Sequence, residues 1–151
     1  MQRTAAFDLP DPDATTAFGA RVSGLLAPGA CLLLEGPIGA GKTSFARAVI
    51  QTLLGAEEDV PSPTFTLVQN YEAPNFDIWH CDLYRLGSAD ELTELGVEEA
   101  FETAVTLIEW PDRLGDSAPD DAVTLRFEVT PDDGRVATLS GTASWLRDLI
   151  Q

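Results

Sequence analysis

Residues 31–50 constrain the fold more than any other stretch of the chain. The apolar run at residues 31–34 predicts a buried strand, and apolar side chains recur at helical spacing after residue 43. Between them, residues 36–43 read Gly-Pro-Ile-Gly-Ala-Gly-Lys-Thr, which fits the pattern G-x-x-x-x-G-K-[ST]. A glycine loop between a strand and a helix presents backbone N–H groups and the positive end of the helix dipole to an anion. The stretch therefore predicts a phosphate-binding loop in an α/β fold.

Each residue type in this loop has a role in binding a triphosphate. Glycines allow the backbone N–H groups to converge, Lys42 is expected to reach the β- and γ-phosphates, and the Thr43 hydroxyl is expected to hold Mg²⁺. Lys42 is also the only lysine, since the other eight basic residues are arginine. The alternative is a glycine-rich turn followed by Lys-Thr by chance. The predicted nucleotide contacts are Gly36, Ile38, Gly39, Ala40, Gly41, Lys42, Thr43 and Ser44.

The composition is that of one globular domain, which we place at residues 1–151. Hydrophobic residues make up 44% and charged residues 23% of the chain. No apolar run approaches the ~18 residues of a membrane span, and the N-terminal residues do not resemble a signal peptide. We expect a cytoplasmic protein in which Cys31 and Cys81 are free, buried thiols.

The formal net charge of −16 bears on the choice of partner. Such a surface repels the phosphate backbone of RNA or DNA, so direct nucleic-acid binding is disfavoured. A basic protein partner would be attracted. A generally acidic proteome explains the charge equally well.

The remaining periodicity predicts a central, mixed, mostly parallel sheet flanked by helices, which is the P-loop NTPase fold. Hairpins are expected at residues 64–84 and 123–139 because alternating strands flank turn residues there. Before the phosphate loop we expect an edge strand at 3–8 and a helix that is capped by Asp11 or Asp13 and stopped by Pro28-Gly29. A capping box at 88–91 predicts the start of another helix, with Leu92 and Leu95 inward. The remaining predicted elements are a short helix at 97–103, a buried strand at 104–109, a loop at 111–121 and a closing helix at 144–150.

Acidic side chains at predicted strand ends are the second candidate for chemistry. Glu109 ends an apolar strand downstream of the phosphate loop, which is the Walker B arrangement, and its alternative is a surface acid. Asp82 could polarise a water or hold Mg²⁺, or it could form an ion pair with Arg85. His80, the only histidine, shares a strand face with Asp82, and no zinc-binding set accompanies it.

Two hydroxyls, Ser62 and Thr64, lie where a loop enters a predicted strand. Hydroxyls at such a position can sense the γ-phosphate as a switch. Ordinary turn capping is an equally good interpretation.

Five separated strings together resemble the TsaE family, bacterial ATPases of tRNA threonylcarbamoyladenosine biosynthesis. They lie at residues 14–22, 39–43, 62–68, 80–86 and 108–111. The resemblance implies a P-loop ATPase, weak alone and stimulated by partners, that uses ATP and Mg²⁺. It implies that the protein acts with TsaD and TsaB, which hold the tRNA, to support formation of N6-threonylcarbamoyladenosine at position 37.

The resemblance also implies roles for individual residues. Lys42, Asp82 and Glu109 would be catalytic, and Thr43, Glu109 and Asp82 would be near the metal. Ser62 and Thr64 would form a switch-like segment, and Trp110 would lie near the nucleotide. Arg135 and the lip at residues 9–11 are candidates for contacts with the adenine. The chain departs from the family pattern at Pro37 and Ile38, where Asp-Leu is usual, and at Cys81, where an aromatic residue is common.

Two alternatives belong to other classes. A small nucleotide or metabolite kinase would need a lid with several arginines, and no arginine cluster is apparent. A nucleotide-gated binding module with negligible hydrolysis is disfavoured because Asp82 and Glu109 are both present. A GTPase is excluded because its N-K-x-D base reader requires a second lysine.

Overall fold

A computed structural model describes residues 2–37, 40–55, 68–84 and 90–150 of the chain. Within these ranges seven strands and five helices follow one another, together with a 3-10 helical segment at Pro111–Ser117. They are β1 (Arg3–Leu9), α1 (Pro12–Ser23), β2 (Cys31–Glu35), α2 (Lys42–Leu54), β3 (Val68–Glu72), β4 (Asp77–Asp82), α3 (Asp90–Leu95), α4 (Val97–Thr103), β5 (Val105–Glu109), β6 (Val123–Val129), β7 (Arg135–Gly141) and α5 (Trp145–Ile150).

All seven strands form one mixed sheet in the order β1-β7-β6-β2-β5-β4-β3. The four central strands β6, β2, β5 and β4 run parallel to one another, and the outer pairs β1–β7, β7–β6 and β3–β4 are antiparallel. The register sets Glu109 beside Leu34 on one side and beside Asp82 on the other. The carboxyl ends of β2, β5 and β4 therefore meet at one edge, where α/β sheets bind ligands. The predicted mixed α/β sheet is confirmed.

Both faces of the sheet are covered, as parallel strands require. One face packs against apolar side chains of α1, α2 and α5. On this face the aromatic rings of Phe7, Phe18, Phe45 and Phe127 lie in a row, and neighbouring ring centroids are 5.0–5.6 Å apart. The other face packs against α4 and the 3-10 segment through Val97, Phe101 and Leu114. Within the described ranges, no helix has the length and apolarity needed to cross a bilayer.

The helix ends follow local chemistry. The Asp11 carboxylate accepts a hydrogen bond from the Ala14 N–H at 2.8 Å, and Pro12 occupies the first turn, so the predicted cap is confirmed. The helix ends earlier than predicted, at Ser23, because Gly24 forms the cap before Pro28 is reached. Gly55 ends α2 in the left-handed conformation with φ 75°.

The predicted loop at 111–121 contains the 3-10 segment, which is started by Pro111 in its first turn. Leu95 was predicted to point inward, which is wrong, since 37% of it is exposed at the end of a helix of only six residues. The capping box at 88–91 begins outside the described residues, and the hairpin predicted over 64–84 is described only from Val68 onward.

Candidate active site

The phosphate loop packs directly on β6. Gly36 has φ 138°, and a Cβ there would lie 2.5 Å from the carbonyl oxygen of Phe127. Gly41, with φ 109°, caps the N-terminus of α2, and its carbonyl accepts from the Phe45 N–H at 2.9 Å. Only glycine meets both requirements at residue 36, because the backbone is left-handed and there is no space for a side chain. The sequence therefore builds a loop that closely follows the sheet.

Ala40 and Ser44 flank the end of the phosphate loop. Ala40 is buried, and its N–H donates to the Pro37 carbonyl at 3.1 Å, whereas Ser44 is exposed in the first turn of α2. Ile38 and Gly39 lie outside the described residues. The α2 N-terminus that follows them is the first turn of a 13-residue helix, so its dipole faces the loop.

Lys42 lies beside Trp110. Its Nζ is 4.0 Å from the centroid of the indole ring, and only 6% of the residue is exposed. Burial lowers the pKa of the Lys42 ammonium from its usual 10.5, while the negative charges of Glu109, Asp82 and Asp112 act in the opposite direction. A nearby anion stabilises a buried ammonium group, and a phosphate is such an anion.

Trp110 has an unusual backbone, with φ 59° and ψ 55°. Its ring also packs on Tyr84, with centroids 5.0 Å apart and an interplanar angle of 50°. A left-handed tryptophan is costly, and such strain tends to occur at functional sites. Trp110 and Lys42 line a cavity of about 370 Å³ together with Leu34, Glu35, Gly36, Pro37, Pro111 and Asp112.

Glu109 is the buried acid of the site. It ends β5 as predicted, and it is only 4% exposed, so the interpretation as a surface acid is wrong. The Thr43 hydroxyl donates to Glu109 Oε1 at 3.2 Å, and His80 Nε2 lies 2.7 Å from Glu109 Oε2. The contacts of Glu109 thus connect the first turn of α2 to β5 and β4.

Asp82 lies at the end of β4 beside Glu109 in the register, and its side chain is half-buried. Its Oδ1 accepts from the Tyr84 N–H at 3.1 Å, which orients the carboxylate at the edge of the site. The alternative partner Arg85 lies outside the described residues, as do the switch candidates Ser62 and Thr64.

Arg135 does not line the cavity. It begins β7 opposite Leu9, and its Nη1 donates to the carbonyls of Asp133 and Gly134 at 2.9 and 3.0 Å. The turn that precedes β7 follows the carboxyl end of β6, so Arg135 lies at the same edge of the sheet as the phosphate loop.

Sequence reasoning gave His80 no role. The structure makes it the neighbour of Glu109, with 1% of the residue exposed. The available signal was its position two residues before Asp82 on one strand face, but the strand order that sets β4 beside β5 was needed to find the partner.

The donors present fit a magnesium–nucleotide complex. Mg²⁺ prefers oxygen ligands and is usually held by one or two carboxylates together with phosphate oxygens. Thr43 and Glu109 supply such oxygens in contact with each other, and the strand register adds Asp82 next to them. Within the described ranges, no group of three or more His, Cys, Asp or Glu side chains could hold a metal by itself.

The fold and this site together define a P-loop NTPase. The strand, glycine loop and helix carry Lys42 and Thr43, and a buried strand-end acid faces them.

The chain belongs to the TsaE family. The family model described as "Threonylcarbamoyl adenosine biosynthesis protein TsaE" matches residues 9–137. A tRNA threonylcarbamoyladenosine biosynthesis protein TsaE from Rickettsia bellii is 39% identical over 126 residues, which cover 83% of this chain and 88% of that protein. The TsaE of Bacillus subtilis is 32% identical over 135 residues, or 89% and 84% of the two chains. The crystal structure of YdiB from Bacillus subtilis is similar, with a TM-score of 0.82, 26% identity, and coverage of 99% of this chain and 93% of that one.

Proposed function

We propose that this protein binds and hydrolyses ATP with Mg²⁺ in support of N6-threonylcarbamoyladenosine formation at position 37 of tRNA. The observation that carries the proposal is the contact between Thr43 and Glu109 beside the buried Lys42. The relatives' names support the pathway, since they are tRNA threonylcarbamoyladenosine biosynthesis proteins.

Each side chain has a task in this proposal. Lys42 binds the β- and γ-phosphates, and the N–H groups of the loop and of the first turn of α2 orient them. Thr43 and Glu109 hold Mg²⁺, which when bound neutralises negative charge on the phosphates. Asp82 orients the attacking water, a task that fits a half-buried carboxylate fixed by the Tyr84 N–H.

Trp110 shapes the entrance to the phosphate site. Its ring covers the Lys42 ammonium at 4.0 Å, so a nucleotide phosphate competes with the ring for that charge. The ring therefore lies near the nucleotide, and its surroundings change when the nucleotide binds. Arg135 and the neighbouring lip at residues 9–11 are proposed to contact the adenine, because they lie at the same edge of the sheet.

The chain is proposed to work with TsaD and TsaB in the cytoplasm, and its hydrolysis supports their turnover. Its own net charge of −16 disfavours direct contact with tRNA, so the partners hold the nucleic acid. The protein alone then hydrolyses ATP weakly, and the partners stimulate it.

The test compares two carboxylate variants. We expect Glu109→Gln to bind ATP in the absence of Mg²⁺ as the wild type does but to lose Mg²⁺-dependent phosphate release. Glu128→Gln is the matched control, because Glu128 is an exposed acid on β6 outside the cavity. Equal turnover in Glu109→Gln and Glu128→Gln would contradict the assigned role of Glu109.

A further inference from the structure

We propose that His80 is a positioning residue that fixes the orientation of the Glu109 carboxylate for Mg²⁺. This inference rests on the proposed function, because it assigns the group that prepares Glu109 for the metal. His80 itself is not a ligand in this account. It acts through Glu109.

The geometry links the two side chains without an intermediary. His80 and Glu109 lie on the neighbouring parallel strands β4 and β5, and their side chains meet at 2.7 Å between Nε2 and Oε2. They are only 1% and 4% exposed, so water screens the contact little. A short hydrogen bond to a buried carboxylate is among the stronger contacts in a protein.

The second nitrogen of the ring defines the tautomer. In the part of the chain that the structure describes, His80 Nδ1 is buried and has no hydrogen-bond partner. A proton on Nδ1 would be a buried donor without an acceptor, which is unfavourable. Nε2 must carry a hydrogen because a carboxylate only accepts. The Nε2–H of His80 therefore donates to Glu109, and this hydrogen bond orients the carboxylate.

His80 and Thr43 contact the Glu109 carboxylate in different ways. His80 binds Oε2, and the Thr43 hydroxyl lies 3.2 Å from Oε1 and 3.5 Å from Oε2. Thr43 is also a proposed metal ligand, so its hydrogen bond competes with metal binding. The bond from His80 does not compete, and it keeps the carboxylate plane in place when Thr43 turns to the metal. Loss of such a supporting group typically weakens metal binding about 10- to 100-fold.

The first experiment titrates Mg²⁺ into the protein with ADP and measures ADP affinity by calorimetry. In His80→Ala we expect the Mg²⁺ concentration for half-maximal effect to rise about 10- to 100-fold, while ADP affinity in EDTA is retained. Cys81→Ala is the control, because Cys81 is the next residue of β4, is fully buried, and belongs to the apolar cluster on the other face of the sheet. An equal midpoint in His80→Ala and Cys81→Ala would overturn the inference.

A second pair of variants separates positioning from simple packing. The amide nitrogen of His80→Gln reaches about as far as Nε2, whereas that of His80→Asn reaches only about as far as Nδ1. We expect His80→Gln to restore the Mg²⁺ midpoint and His80→Asn to leave it raised. Equal midpoints in these two variants would overturn the inference even if His80→Ala does not fold. If Mg²⁺ leaves ADP affinity unchanged in the wild type, the proposed function fails, and the inference fails with it.

Discussion

Replacing Gly36 by alanine tests whether the phosphate loop depends on its close contact with β6. The new Cβ would lie 2.5 Å from the Phe127 carbonyl oxygen at a residue whose φ is 138°. The backbone of Phe127 cannot easily move away, because β6 is paired on both sides and the Phe127 ring is fully buried against Phe45. A side chain at this φ costs about 1–3 kcal/mol, and overpacking costs about 1–3 kcal/mol more.

We therefore expect Gly36→Ala to lose about 2–6 kcal/mol of the roughly 5–15 kcal/mol that stabilises a domain. The assay is urea denaturation, with ATP affinity measured on the same samples. Gly55→Ala is the matched control, because Gly55 also has a positive φ of 75° but no atom of the described residues lies within 4 Å of its Cβ position. It should lose only about 1 kcal/mol and keep its ATP affinity. Equal denaturation midpoints for the two variants would refute the argument from close packing.

Three shorter predictions test other parts of the account. Lys42→Ala should abolish ATP binding in a calorimetric titration, since it removes the cation that contacts the phosphates; unchanged affinity would contradict the loop assignment. Burial raises the pKa of Cys31 from 9.0 to about 12, so folded-state stability should fall as pH rises from 9.0 toward 12, and a Cys31→Ala variant should lose that part of the decline. Asp11→Ala should cost about 1 kcal/mol in urea unfolding because it removes the cap of α1; an unchanged midpoint would count against the cap.

The sequence predicted the parts of the fold and site that local signals define. The glycine pattern and Lys42 defined the start of α2, and the apolar run before Glu109 defined β5. Asp11 and Pro12 defined the start of α1 in the same way. In each case the chemistry that forms the element lies within a few residues of it.

The remaining features depend on contacts between distant parts of the chain. The hydrogen bond from His80 to Glu109 exists only because β4 pairs with β5, and strand order is not visible in local periodicity. The left-handed backbone of Trp110 accompanies its packing on Lys42 and Tyr84, and nothing in its immediate sequence requires it. Tertiary packing determined these features.

The measurement that tests the central claim most directly is phosphate release from ATP by the wild type and by Glu109→Gln, each with and without the TsaD–TsaB pair. The account predicts Mg²⁺-dependent release by the wild type that rises when the pair is added, and little release by the variant in either condition. Release that is indifferent to the pair, or phosphate that appears on an acceptor molecule instead of in solution, would contradict the account.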